Sequence, residues 1–598
     1  MKTSLRIKPK RSEILLATIL GATVSVWAAP RGGNAASDAE SASTTAQPSG
    51  NATEASQPKA PASPVVAELE SLRASVELQT RQFAEHSKEL ESERVALKEE
   101  LQRIAVLEEK LGVTPETPTS LDSLNAPNAA SDVNAPPQNQ NKPINIVSPE
   151  NPLSLKIGAA NFTPGGFVDL TGIFRSRDVG SGLGTNFTTI PYANTLPLGQ
   201  LSEFRFTGQG SRLSLKVDAQ PTEATSVTGY VESDFNGFEP ANSNISTKSD
   251  TFRLRLAFVQ LRHGRWELVT GQTWSFLTPT REGLSPYPEN IFTALRLDTS
   301  YLAGLIYSRQ PELRVVYHAN DHWAFGAALE NPQQFAPSSV VFPTDGSTNF
   351  FQQQFDNGSS STSATSSAIN PTVPNVHPDI EARTSFDWRT AGGKLLHIDA
   401  GGVARTFKDY NNLAAPASTN AITGGGGEFN TNFEVFKNFH LIENLFYGDG
   451  VGRYIGGLGP DVVVKPNGTL SAVHAGSAIG GFEWQTTPKF LVDGYYSGAY
   501  FWRNFDVTTK ALGTACGVGG TEYCTGFGFF GSANTNNRDY QEGTVGFIPT
   551  IWSSPNYGKL QFISQFSYVD RTPWYVAAHQ PKNAHIFITY LNLRYIIP

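Results

Sequence analysis

The sequence predicts an all-β transmembrane barrel of about 16 antiparallel strands, preceded by an N-terminal α-helical coiled-coil segment. Charged residues make up only 17% of the 598 residues, below the ~25% that is usual in soluble domains. The net charge of -8 argues against a nucleic-acid binder, which would carry a basic face. No apolar run reaches the roughly 20 residues that a membrane-spanning helix needs. The predicted membrane-spanning segments are therefore β-strands.

Residues 1–28 have the three parts of a secretory signal peptide. A basic region that includes Lys2 and Arg6 precedes the apolar stretch Ile14 to Val26. Val26 and Ala28 supply small residues at the two positions that define a cleavage site. The alternative is an uncleaved anchor. Residues 29–64 are rich in Ala, Ser, Thr, Gln and Pro, a composition that predicts a disordered linker.

Residues 65–112 carry a seven-residue repeat. Its apolar positions are Leu69, Val76, Phe83, Leu90, Leu97, Ile104 and Leu111. Such a repeat keeps one apolar stripe facing a partner helix, which predicts a coiled coil; a single solvated helix is the alternative. His86 falls in the second, more polar seam and is interpreted as a tolerated core residue. Residues 113–164 are predicted to be a second linker, rich in Pro and Asn.

Residues 165–598 alternate between apolar and polar side chains, as strands with one apolar face do. In one segment Leu254 and Leu256 fall on one face and Arg253 and Arg255 on the other. The predicted strands are 165–177, 203–219, 224–236, 251–263, 265–277, 303–318, 322–331, 379–389, 394–408, 427–437, 440–449, 471–485, 489–503, 539–553, 558–571 and 583–597. The glycine run Gly424 to Gly427 is predicted to form a loop between strands.

The lengths of the connections distinguish a barrel from a soluble sandwich, which would alternate in polarity as well. Seven tight turns follow the even strands and eight long loops follow the odd ones, as in outer-membrane barrels. In lipid every backbone polar group must be satisfied, so the sheet must close on itself. A barrel of sixteen strands is too wide for side chains to fill and leaves an aqueous channel.

Three stretches resemble the DcaP-like trimeric outer-membrane porins: FRLRLAFVQLRHGRWELVTGQTWSFL (252–277), NLFYGDGVGRYIGG (444–457) and LNLRYIIP (591–598). The resemblance implies a homotrimer of barrels in outer-membrane lipid, with the coiled coil in the periplasm. It also implies passive diffusion of small, preferentially anionic solutes such as dicarboxylates. One departure is Pro598, where many such barrels end in an aromatic residue; Tyr595 is the candidate substitute.

In porins of this size the third outer loop commonly folds inward and narrows the channel. Here that loop is predicted at 278–302, with Arg281, Glu282, Glu289, Arg296 and Asp298. The lumen-facing basic residues expected opposite it are Arg205, Arg212, Arg253 and Arg255. Rings of arginine favour anions, so we expect an arginine-lined constriction with acidic loop residues setting a transverse field. The alternative is that these arginines merely solvate a wide lumen.

Enzyme chemistry finds little support, and we predict no catalytic residue, no cofactor and no metal site. His440, His474 and His579 are interpreted as loop or wall residues rather than as parts of a hydrolase. Cys516 and Cys524 are predicted to form a local disulfide, since a structural zinc site takes four N or S ligands.

A second function remains open from the sequence. The coiled coil could bind periplasmic or cell-wall partners, with the barrel serving as the outer-membrane anchor. Its polar faces do not resemble a specific binding groove.

Overall fold

The computed structural model describes residues 151–237, 251–293, 295–344, 350–356, 375–516 and 521–598. The predicted signal peptide, first linker and coiled coil lie outside the described residues, as does most of the second linker. Within the described part of the chain, no helix is both long and apolar enough to cross a membrane. The described end of the second linker holds a short strand, Leu155–Ile157, and the first barrel strand begins at Ala160 rather than at 165.

The described residues form sixteen barrel strands. They are β1 (Ala160–Arg175), β2 (Glu203–Thr207 continued by Arg212–Thr222), β3 (Thr225–Asp234), β4 (Arg253–His263), β5 (Trp266–Trp274), β6 (Arg309–His318), β7 (Trp323–Glu330), β8 (Asp379–Arg389), β9 (Leu395–Asn411), β10 (Ser418–Phe436), β11 (Phe439–Asp449), β12 (His474–Thr487), β13 (Phe490–Phe501), β14 (Asn537–Ser554), β15 (Gly558–Pro573) and β16 (Ala584–Ile596).

Each strand pairs antiparallel with its neighbours in sequence, and β1 closes the sheet by pairing with β16. The closing register places Val168 opposite Tyr595 and Leu170 opposite Leu593. Closure leaves no free sheet edge. The predicted barrel of sixteen strands is therefore confirmed.

The connections are sorted by length between the two ends of the barrel. Seven turns of two to five residues lie at one end, the short-turn end, and the other connections, of 6 to 48 residues, lie at the long-loop end. Two of the turns use backbone conformations with positive φ, at Gly264 (φ 56°) and Asn438 (φ 65°). Such tight turns favour glycine and asparagine because these two residues tolerate a positive φ.

The assignment of Gly424 to Gly427 to a loop was wrong, because these glycines lie inside β10. The backbones of β9, β10 and β11 approach closely there. A Cβ on Gly425 would lie 2.4 Å from the Val403 carbonyl oxygen, and one on Gly426 would lie 2.9 Å from that of Tyr447. Glycine in a strand often marks such a close backbone approach. The connection between β9 and β10 is consequently only 412–417.

The outer surface of the barrel is apolar, with exposed side chains such as Leu213, Leu215 and Leu313 along the strands. Five exposed tryptophans lie at the short-turn end: Trp266, Trp323, Trp388, Trp484 and Trp552. Transmembrane barrels carry such an apolar band flanked by aromatic girdles. The charged members of the strands face inward, where they meet the third long connection.

Candidate functional site

The third long loop (275–308, described except for 294) lies inside the barrel and contacts strands on the far side. Arg281 forms an ion pair with Glu483 on β12 at 2.7 Å. The backbone nitrogen of Leu297 donates to Gln565 on β15 at 2.8 Å, and that of Ala303 donates to Glu542 on β14 at 2.9 Å. These contacts cross the lumen, so the loop narrows it as expected for 278–302.

The first residues of this loop are held against the wall by buried charges. Arg383 on β8 donates from Nη1 to the carbonyl oxygens of Phe276 at 2.7 Å and Thr278 at 2.8 Å. The backbone nitrogen of Phe276 donates to Glu330 at the end of β7, at 2.7 Å. Buried charged groups must be paired to avoid a large desolvation cost. These contacts therefore fix the position at which the loop leaves the barrel wall.

Glu282 on the same loop forms an ion pair with Arg389 at the end of β8, at 2.6 Å. Burial raises the pKa of Glu282 to about 7, although the neighbouring Arg389 acts in the opposite direction. The adjacent backbone nitrogen of Gly283 donates to Asp387 at 3.1 Å. Glu282 therefore changes its charge near neutral pH at a point where the loop is anchored.

The remaining charged residues of the loop have different environments. Arg296 is buried, pairs with Asp493 on β13 and donates to Thr544 at 2.9 Å. Asp298 is buried and accepts hydrogen bonds from the Tyr590 hydroxyl at 2.9 Å and from the backbone nitrogen of Thr185. Glu289, by contrast, is exposed to solvent. Of the predicted acidic set, Glu289 is the exposed residue, although desolvation by the surrounding protein raises the pKa of its carboxyl and the nearby Lys216 acts in the opposite direction.

Three of the four predicted wall arginines come together around two carboxylates on β3. Arg253 donates to Asp234 at 2.8 Å, Arg255 donates to both Glu232 and Asp234, and Arg212 lies 3.7 Å from Glu232. The side chain of Arg255 is only 2% exposed, whereas those of Arg212 and Arg253 are 24% and 34% exposed. Arg255 compensates the buried acids, and the other two arginines reach the lumen.

Arg309, at the start of β6, belongs to the same cluster, although its position in the sequence does not predict this. Its guanidinium lies 5.3 Å from the ring centroid of Trp274, and the guanidinium of Arg255 lies 5.7 Å from the same ring. Tyr301 of the third loop accepts a hydrogen bond from Arg255 at 3.4 Å. Burial alone would raise the pKa of Tyr301, but Arg255, Arg212 and Arg309 together lower it.

We call this surface the cationic wall; it comprises Arg212, Lys216, Arg253, Arg255 and Arg309. The carboxylates paired with it are Glu232, Asp234 and Asp218, the last 3.2 Å from Lys216. Five cations thus stand against three carboxylates. Arg205 is not part of the wall, because it donates to the Gly182 carbonyl oxygen at 3.0 Å and lies 3.9 Å from Glu203.

A second charged surface, the acidic wall, comprises Glu312 on β6, Glu330 on β7 and Glu381 on β8. These three residues are 6%, 1% and 0% exposed. The start of the third loop contacts two of them, since Phe276 bonds to Glu330 and the Ser275 hydroxyl lies 3.5 Å from Glu381. Glu312 forms an ion pair with Arg314 at 2.7 Å. All three carboxyl groups are therefore withheld from lumen water.

The other candidate residues lie away from these walls. Cys516 and Cys524 form a disulfide. His440 on β11 bonds to Asn432, His474 lies beside Asp449, and His579 is in the connection before β16. In the described ranges, no group of three or more His, Cys, Asp or Glu side chains is arranged to hold a metal ion.

No protein-family model and no curated protein matches the chain. Among solved structures, the outer membrane channel DcaP of Acinetobacter baumannii matches with a TM-score of 0.51 at 15% identity, over 74% of this chain and 99% of that one. The anion-selective porin from Comamonas acidovorans gives a TM-score of 0.38 at 10% identity over 73% and 100% of the two chains. OprB of Pseudomonas putida gives 0.39 at 8% identity over 73% and 94%. The match to DcaP confirms the predicted resemblance at the level of the barrel fold.

Proposed function

We propose that this chain forms a channel in the bacterial outer membrane through which small hydrophilic solutes diffuse passively, with a preference for anions. The observation that carries the proposal is the cationic wall beside an inward-folded loop. Arg212 and Arg253 keep part of their guanidinium groups in contact with the lumen, while the acidic wall is buried. Basic pore linings favour anions, and a narrow passage with low-dielectric walls strengthens the field of such charges.

The orientation and assembly follow the pattern of outer-membrane barrels. Long loops face the exterior and short turns face the periplasm. The proposal includes a periplasmic location for the N-terminal segment. It is supported by Asn151, where the described chain begins, which donates to the Pro598 carbonyl oxygen beside the short-turn end. The resemblance to DcaP-like porins adds a homotrimer and dicarboxylates as solutes, and both are part of the proposal.

The decisive experiment measures the reversal potential of single channels in a salt gradient. We expect the double variant Arg212→Gln, Arg253→Gln to lose anion preference, while Arg255 stays in place to compensate Glu232 and Asp234. A unit charge 10 Å away contributes about 0.4 kcal/mol in water. Two such charges act with opposite sign on anions and cations, so at low salt the anion/cation permeability ratio should fall roughly sixteenfold.

The matched control is Arg503→Gln, which removes an exposed arginine from the seventh long connection, before β14. Its permeability ratio should equal that of the parent. An unchanged ratio in the double variant would show that the arginines only solvate the lumen.

The alternative function, a tether that binds periplasmic or cell-wall partners, depends on residues outside the described part of the chain. Deleting 65–111 separates the two functions. Loss of conductance would assign the segment a role in supporting the channel, whereas loss of envelope integrity with normal conductance would favour the tether.

A further inference from the structure

A cavity of about 540 Å³ lies among the long loops, next to the cationic wall. It is formed by parts of the first, third, fourth, sixth and seventh long connections, at 184–189, 300–307, 335–339, 456–459 and 527–535. This volume lies within the ~300–1,000 Å³ range of ligand pockets. We call this cavity the chamber.

The lining of the chamber differs chemically from the wall next to it. None of the described residues that line it is Asp, Glu, Lys, Arg or His. The lining combines aromatic rings, such as those of Tyr307 and Phe335, with hydroxyl groups, such as those of Ser338 and Thr535. A charged group would lose hydration there without gaining an oppositely charged partner. An uncharged polar body would find both hydrogen-bonding groups and apolar faces.

Two glycines shape the flat side of the chamber. Gly456 and Gly457 have φ of 60° and 67°. A Cβ on Gly456 would come within 3.3 Å of the Tyr307 ring, and one on Gly457 within 3.6 Å of the Phe335 ring. A side chain on Gly456 would crowd the Tyr307 ring, and the positive φ of both residues favours glycine, so the backbone of the sixth long connection lines the chamber here without side chains. Bare backbone and aromatic rings together offer faces against which a ring-shaped body can pack.

One residue joins the chamber to the cationic wall. The ring of Tyr307 lines the chamber and contacts the ring of Tyr301 edge-on at 5.0 Å between centroids. The hydroxyl of Tyr301 in turn bonds to Arg255. A solute that occupied the chamber would thus have its uncharged body beside Tyr307, with Tyr301 between that ring and the arginine cluster.

We propose that the chamber binds the uncharged, hydroxylated ring of a monocarboxylate whose acid group is drawn towards the cationic wall, the chemical class of the sugar acids. The proposal rests on the anion preference proposed above and specifies the solute. A small linear dicarboxylate has no uncharged body to fill the chamber, so it should pass without being held there.

The test uses the full mature chain in planar bilayers and measures how long three probes block the single-channel current. Glucuronate has the ring and the charge, glucose has the ring alone, and succinate has charge alone. We expect the longest blocks from glucuronate. In Phe335→Ala the blocks by glucuronate and glucose should both shorten by about tenfold, with succinate unchanged.

A second variant keeps the test valid if Phe335→Ala disturbs the loops. Thr535→Asp adds a negative charge at the exposed rim of the chamber and should shorten blocks by glucuronate but not by glucose. The matched control is Phe530→Ala, which truncates an exposed ring that packs on Tyr575 and does not line the chamber.

The outcomes separate this proposal from the one on which it rests. Equal block times for succinate and glucuronate in the parent, or a Phe335→Ala variant that alters neither ring-bearing probe, would overturn the chamber proposal. An unchanged permeability ratio in Arg212→Gln, Arg253→Gln would overturn the anion preference, and would do so even if glucose still blocked through the chamber.

Discussion

On the cationic wall, Arg212 and Arg253 keep part of their guanidinium groups in lumen water, whereas on the acidic wall Glu312, Glu330 and Glu381 are buried. Both walls consist of inward-facing ionisable strand residues. The difference is that the first wall meets lumen water, whereas Glu330 and Glu381 of the second contact the start of the third loop. This comparison predicts that the charges in contact with water, rather than all the charges of the barrel, govern permeation.

The largest effect should come from removing the buried arginine that holds the start of the third loop against the barrel wall. Arg383 compensates Asp399 at 2.7 Å and Glu428 at 3.3 Å, besides holding Phe276 and Thr278. We expect Arg383→Ala to cost about 3–5 kcal/mol of unfolding free energy, because it leaves buried carboxylates uncompensated. Denaturant unfolding followed by tryptophan fluorescence measures this loss.

The same variant should also widen the channel, because the start of the loop loses two hydrogen bonds to the wall. Single-channel conductance should rise where the variant still inserts. Arg503→Ala is the control for unfolding and for conductance. A variant Arg383→Ala with the stability of the parent would contradict the role of Arg383 in compensating Asp399 and Glu428.

A smaller effect is expected from the exposed acid of the loop. Glu289→Gln removes a negative charge from lumen water, so the anion/cation permeability ratio should rise about fourfold at low salt. Screening should reduce the change at high salt, since the Debye length is only about 10 Å at 0.1 M. The control Glu522→Gln alters an exposed acid in the seventh long connection. A falling ratio in Glu289→Gln would mean that Glu289 does not face the permeating ions.

The smallest effect concerns pH. Because burial raises the pKa of Glu282 to about 7, this carboxyl is ionised above that pH and protonated below it. Protonation leaves the charge of its partner Arg389, whose side chain is 26% exposed, uncompensated. The anion/cation permeability ratio should therefore rise by about twofold or less when the pH is lowered from 8 to 6. Reversal potentials at both pH values measure the change, and Glu282→Gln should abolish it.

The strand pattern could be predicted closely because alternation and turn residues are local properties. The strand Asp379–Arg389 has its predicted bounds, and the inward placement of Arg253 and Arg255 follows from the period of two residues. The glycine run in β10 was missed because its explanation lies in the backbones of β9 and β11, which are remote in sequence.

The candidate site was only partly predictable, for a related reason. Arg309 follows the alternation of β6 on the same parity as the outward-facing Leu313, so its place beside Trp274 could not be read from the strand. The neutralisation of Arg255 by Glu232 and Asp234 depends on the pairing of β3 with β4. The contacts of the acidic wall with the third loop depend on the path of that loop.

The closed barrel, its sixteen strands and the sorting of its connections follow from the order of the amino acids, since each depends on side-chain alternation and on the need to satisfy every backbone polar group in lipid. Which charges meet water depends on the folded chain, because the loop that buries some of them and leaves others exposed is held by contacts between residues far apart in the chain. The same holds for the uncharged chamber, whose lining comes from five separate connections.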